Sequence, residues 1–143
     1  MTRINLVHPS KLADQHLLAE HRELTRIPNA VFHRRTNFMT DLPTSYRLGT
    51  GHVRFFYNKL GFLYSRYLDL GAECIKRRFC IVPIFPYKED FYHAAQEQLW
   101  NQWTPSQGDI RVSQNRLLET WKPSFRYYSK PLSYEAYAIQ LFS

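Results

Sequence analysis

Apolar positions recur at helical spacing in three parts of the chain. In "HPSKLADQHLLAEHRELTRIP", Leu12, Leu17, Leu24 and Ile27 supply one buried stripe. Ser10 after Pro9 fits an N-cap and Pro28 a stop, which predicts a first helix between them. In "GHVRFFYNKLGFLYSRYLDLGAECIKRR", Val53, Phe56, Leu60, Leu63, Tyr67, Leu70 and Cys74 alternate at spacings of three and four. That is the seam of one long buried helix. Gly61 and Gly71 weaken it by roughly 1 kcal/mol each relative to alanine and mark candidate points of close approach. In "SQGDIRVSQNRLLETW", Ser106 and Asp109 have the spacing of a capping box, and Ile110, Leu117 and Trp121 share one face.

The intervening stretches are less regular. "NAVFHRRTNFMTDLPTSYRLG" has no clear period and two turn signals, so it reads as loop with one short helical piece. "FCIVPIFPYKEDFYHAAQEQLWNQWTP" starts apolar and Pro-broken, with room for a short helix from Glu89 to Trp100. The tail "KPSFRYYSKPLSYEAYAIQLF" is aromatic and basic and gains a helical period only in its last ten residues. Strand pairs and internal repeats are not evident. The expected fold is all-α: one compact domain over residues 1–143, with three principal helices and long connecting loops.

Composition narrows the classes. Apolar residues at 44% and charged ones at 22% fit a globular chain rather than a disordered one. A net charge of +7 suits a polyanionic partner, either nucleic acid or an anionic membrane surface. No run approaches the ~18 apolar residues of a membrane span, and the first residues lack the apolar core of a signal peptide. The two cysteines, Cys74 and Cys80, form neither a metal-spaced pair nor a disulfide framework. A soluble, intracellular, cytoplasmic protein without a membrane partner is expected.

The first helix carries a polar strip of Gln15, His16, Arg22, Glu23 and Arg26 opposite its leucines. Such a strip fits a solvated helix face as well as a site. His16, Glu20 and Glu23 have the spacing of ligands on one helix face, but no second cluster completes a metal shell and arginines intrude on it. No metal or other cofactor is expected. His52 reads as a cap or packing residue and Cys74 as part of the buried seam.

Several blocks, "MTRINL", "LADQHLLAEHREL", "LGTGHVRFFYNKLGFL", "AECIKRRF" and "SQNRL", closely resemble the pyrimidine dimer DNA glycosylase family, collinearly and at nearly the same spacings. The resemblance spans residues 1 to about 80 and 104 to 130 and implies a compact all-α domain. It implies a bifunctional enzyme with glycosylase and abasic-site lyase activities, and a monomer is expected. Its partners would be double-stranded DNA containing ultraviolet photoproducts, here cyclobutane pyrimidine dimers, and abasic DNA. By similarity Thr2 supplies the nucleophile, its α-amino group freed once Met1 is removed, and Glu23 the catalytic carboxylate. Arg3, Gln15, His16, Arg22, Arg26 and Arg116 match positions that grip the damaged strand. In the tail Arg126, Tyr127 and Tyr128 match an aromatic, basic segment that recognises the dimer. The chain departs from the family there: Phe125 stands where a tryptophan-tyrosine pair is expected and Thr120 replaces a lysine. The alternative is a lesion-binding protein, or a glycosylase retargeted to other base damage.

Elementary chemistry suits these roles. An α-amino group has a reference pKa of about 7.7–8.0, so roughly a tenth of it is neutral at pH 7, against a few parts in ten thousand for lysine. Nearby arginines push it further toward the neutral nucleophile. Such an amine can attack a sugar C1′, expel the base and leave an imine, which acidifies the C2′ proton for β-elimination. Glu23 would steady the cationic sugar and relay protons.

Overall fold

A computed structural model describes residues 2–33, 41–83, 85 and 98–143. Helices α1 (Asp14–Leu24), α2 (Arg26–His33), α3 (His52–Phe55), α4 (Leu60–Lys76), α5 (Gln107–Glu119) and α6 (Tyr134–Phe142) carry the fold. A 3-10 turn at Pro9–Lys11 precedes them, and a two-residue hairpin of β1 (Arg126–Tyr127) and β2 (Lys130–Pro131) lies between α5 and α6. The class is all-α, as the periodicity predicts. Helix α1 packs on α4, and α5 on α6. Leu12, Leu17, Leu24, Leu63, Leu70 and Cys74 are completely buried between them.

Pro28 does not end the first helix. Lacking an N–H, it cannot donate to the carbonyl of Leu24, and its ring crowds that carbonyl. The helix therefore breaks at Thr25 and restarts at Arg26, with Pro28 inside the first turn of α2, where a missing donor costs nothing. Ser10 is not the cap of α1 either. The His8 ring caps the 3-10 turn by accepting the Ser10 amide at 3.1 Å, and α1 begins only at Asp14.

The long seam is likewise interrupted. Between α3 and α4 the backbone turns at Lys59, because another segment crosses the start of α4. Leu60 N–H donates to the Leu99 carbonyl at 2.9 Å and Phe62 N–H to Asn101 at 3.1 Å, filling donors that a helix start leaves open. Gly61 permits the approach: a Cβ there would lie 2.9 Å from the Gln102 amide nitrogen and 3.1 Å from the Asn101 carbonyl. Gly71 meets only ordinary contacts, at 3.7 Å and beyond. The helix expected at Glu89–Trp100 falls mostly outside the described residues, and residues 98–100 are turn and bridge.

Ser106 and Asp109 close the predicted capping box on α5, at 3.1 and 3.0 Å. The hairpin is a feature that the pattern does not predict. Its turn residues Tyr128 and Ser129 both take positive φ, 50° and 66°, without a glycine. Asp14 offsets that strain by accepting both amides, at 3.0 and 2.8 Å. The Arg77 guanidinium is the other half of this buried knot. It donates to Asp14 at 2.9 Å, to Glu73 at 2.8 Å and to the Leu12 carbonyl at 2.7 Å, and it lies against the faces of Tyr127 and Tyr128.

Candidate active site

Residues 2–7 lie largely buried outside any helix or strand, so their backbone groups need side-chain partners. Each comes from a different element. His52 Nε2 accepts the Ile4 amide at 2.9 Å, the Tyr46 hydroxyl donates to the Ile4 carbonyl at 3.4 Å, and Ser113 Oγ accepts the Leu6 amide at 2.9 Å. Asn5 donates to Glu20 at 2.9 Å, and Arg66 binds Glu20 through two nitrogens while also donating to the Val7 carbonyl. Thr2, Ile4, Asn5, Leu6 and Val7 are all buried.

This anchoring brings the segment's start to two adjoining cavities. The larger, about 590 Å³, is lined by Arg3, Asn5, Gln15, His16, Glu20, Glu23 and Arg116, with Phe125 and the end of α5. The smaller, about 390 Å³, is lined by Thr2, Arg3, Leu48, Gly49, His52, Val53 and Arg116. Arg3 and Arg116 line both, so the two cavities share a cationic wall. Partial burial and the Arg116 charge lower the Arg3 pKa from its ordinary value, while Glu23 opposes them.

The carboxylates divide by environment. Glu20 is consumed by Arg66 and Asn5, with its side chain 1% exposed. Glu23 keeps 17% of its side chain accessible and touches Arg22 at 3.4 Å. His16 also lines the larger cavity, yet both ring nitrogens are occupied, by the Tyr137 hydroxyl at 2.7 Å and Thr120 at 2.9 Å. The Thr120 hydroxyl has carbonyls of Arg116 and Leu117 in reach, so it donates there and accepts from His16 Nε2–H. Tyr137 then donates to His16 Nδ1 and accepts the Ala13 amide at 3.1 Å. Burial, aided by Arg3, lowers the His16 pKa to about 4, so the ring is neutral at ordinary pH. Gln15 holds the tail in place: its oxygen accepts the Arg126 amide at 3.0 Å and its nitrogen donates to the Ser124 carbonyl at 3.3 Å.

The geometry thus gathers Thr2, Arg3, Gln15, His16, Glu23 and Arg116 around one pair of cavities. Five other expected residues stand apart from the lining. Arg26 belongs to α2 rather than α1 and is exposed, as is Arg126. Tyr127 and Tyr128 are half-buried, their hydroxyls donating to the Ser10 carbonyl and to Glu73, both at 2.7 Å. Arg22 stands outside the cavities too, its side chain 67% exposed above Glu23. The continuous strip expected on one helix is therefore split at Thr25. Among the described residues no group of three or more His, Cys, Asp or Glu side chains could hold a metal ion, and the donors of His16 and Glu20 are already engaged. No helix of the described residues is long and apolar enough to cross a membrane.

An all-helical fold that leads its first residues to a cationic cavity beside an accessible carboxylate has the parts of an enzyme acting on a polyanion. The family model for pyrimidine dimer DNA glycosylases matches residues 1–84. The chain belongs to that family, whose members are DNA-repair enzymes with DNA as substrate. The match contains Thr2, Arg3, Gln15, His16, Arg22, Glu23 and Arg26. Arg116, Arg126, Tyr127 and Tyr128 lie beyond it.

Proposed function

We propose that the protein excises ultraviolet-induced cyclobutane pyrimidine dimers from double-stranded DNA and then cleaves the strand as an abasic-site lyase. The carrying observation is that Thr2 and Glu23 line adjoining cavities joined by Arg3 and Arg116. Removal of Met1 frees the Thr2 nitrogen. That nitrogen, deprotonated, bonds to C1′ while the glycosidic bond breaks and its electron pair leaves on the base. Loss of the amine proton and opening of the sugar ring, with protonation of its oxygen, give an imine. The imine makes the C2′ proton removable, and its electron pair expels the 3′ phosphate. Glu23 stabilises the cationic sugar and carries protons in both halves. Arg3 and Arg116 hold phosphates beside the reacting sugar, and the exposed Arg22, Arg26 and Arg126 extend the contact along the strand. Gln15 and His16 shape the cavity wall and tie the aromatic tail to it.

Borohydride reduction tests this reading. Protein lacking Met1, checked by intact mass, should be trapped covalently on duplex abasic DNA, and on dimer-containing DNA with release of the glycosidic bond. Acetylation of the Thr2 nitrogen should abolish both. A protein that binds the lesion without ever being trapped is the lesion binder instead.

A further inference from the structure

A reactive group at Thr2 is aimed only if the residues behind it are fixed, and Ile4, two residues on, is held through its backbone amide. That anchor is an imidazole. Its Nδ1–H donates to the Arg47 carbonyl at 2.8 Å, which fixes the tautomer and leaves Nε2 as a pure acceptor for the Ile4 amide at 2.9 Å. The preceding loop supplies that carbonyl. Gly49 and Gly51 both take positive φ, 70° and 90°, and a Cβ on Gly51 would press on Arg47 and Pro43 at 3.1 Å. Tyr46 and Phe56 set their rings edge-on to the imidazole at 5.5 Å. The same ring lines the smaller cavity with Thr2, Arg3 and Arg116.

We propose that His52 is the positioning residue of the amino-terminal nucleophile, its Nε2 holding the Ile4 amide so that the Thr2 nitrogen stays aimed into the cavity. This rests on the amine mechanism given above. Only the neutral ring serves, because a proton on Nε2 would set a donor against the Ile4 donor. The charged and titratable groups around the ring are Arg3 and the Thr2 amine on the amino-terminal segment, Tyr46 and Arg47 on the preceding loop, Glu20 on α1, Arg116 on α5 and Arg54 on its own helix. Burial lowers the His52 pKa most, Arg3 adds to it, and the Arg47 carbonyl and Glu20 oppose it.

The test is steady-state lyase kinetics on duplex abasic DNA between pH 5 and 8, with borohydride trapping, for wild type, His52→Phe and His52→Gln. Phenylalanine fills the ring's place without an acceptor. It should lower kcat roughly 10- to 100-fold with KM unchanged, since a misaimed nucleophile still binds DNA. Glutamine can present an oxygen near the Nε2 position and cannot protonate. It should recover most of that loss, and because its side chain cannot protonate, its rate should fall less steeply toward acid pH than that of wild type. Wild-type kcat and pH profile in both variants overturn the proposal. So do losses in both that follow the melting temperature while the pH profile stays unaltered. Failure of the wild-type protein to trap at all would instead remove the amine mechanism on which it rests.

Discussion

Asp14 and Arg77, 63 residues apart in sequence, meet at 2.9 Å in the interior, and the same carboxylate holds the hairpin turn through the Tyr128 and Ser129 amides. One acidic side chain at the start of α1 thereby fastens both the end of α4 and the carboxyl-terminal aromatic segment. Burial acts against the Arg77 charge, but Glu73 and Asp14 overcome it and raise its pKa.

Removing the cation should therefore be worse than removing a surface pair. Arg77→Met leaves Asp14 and Glu73 buried without their partner and should cost about 3–5 kcal/mol in urea unfolding. A loss under about 1 kcal/mol would mean that water reaches the carboxylates in the folded state.

At Glu23 the expectation is functional rather than structural. Its carboxylate is partly accessible and its contact with Arg22 is a surface one, worth little to stability. Glu23→Gln should keep the melting temperature and the affinity for damaged duplex while strand cleavage falls about 10²- to 10⁴-fold. Gel-shift and cleavage assays on the same preparation separate the two effects.

How much of this was legible differs from element to element. Leu17, Leu24, Leu63 and Leu70 announce their helices because burial imposes a helical period on the residue types. Ser106 and Asp109 announce the start of α5 because a capping box is local. Pro28 was visible, but a proline acts on the carbonyl four residues back, so the break falls at Thr25 and the helix continues beyond the proline itself. The crossing of residues 99–101 over α4 left no sign beyond Gly61, since backbone carbonyls of Leu99 and Asn101 do the bonding. In the candidate site, resemblance brought forward Thr2, Arg3 and Glu23. Tyr46, His52, Glu20, Arg66 and Ser113, which hold the first residues in place, pair across 15 to 107 positions, and no local pattern marks those pairings.

Gly61 gives a direct check of that crossing. Alanine would drive a methyl against Asn101 and Gln102 in a packed contact, so Gly61→Ala should cost about 1–3 kcal/mol despite alanine's better helix propensity. Gly71→Ala, with nothing nearer than 3.7 Å, should be neutral or slightly stabilising.

His16 makes the acid side of the stability curve steep. Its pKa is about 4 in the folded protein against 6.5 for the free side chain, so between these values the unfolded chain binds more protons. Stability is then full above pH 6.5 and declines as pH falls toward 4, by about 3 kcal/mol from this residue. Urea midpoints for wild type and His16→Gln from pH 4 to 7 should show a shallower decline in the variant. Burial lowers the pKa values of His21 and His52 as well, so a residual slope remains.

Arg116 and Arg3 present the opposite trade. Two guanidiniums share one wall, the Arg116 charge disfavouring that of Arg3, and the Nε of Arg116 is buried without a hydrogen-bond partner among the described residues. Its ion pair with Glu119 is loose, at 3.7 Å, and exposed on the carboxylate side. An unsatisfied buried donor costs about 1–3 kcal/mol, and like charges add to that cost. Under the proposed function, a phosphate entering between the arginines offsets that cost. Arg116→Met should therefore leave the melting temperature equal or higher while weakening duplex binding, with the slope of log K on log salt shallower by about 0.9 for the one lost phosphate contact. Melting curves and salt titrations of binding on one preparation decide it. A variant that melts lower and binds DNA with the original salt slope would make Arg116 a strut of α5 rather than part of the phosphate grip.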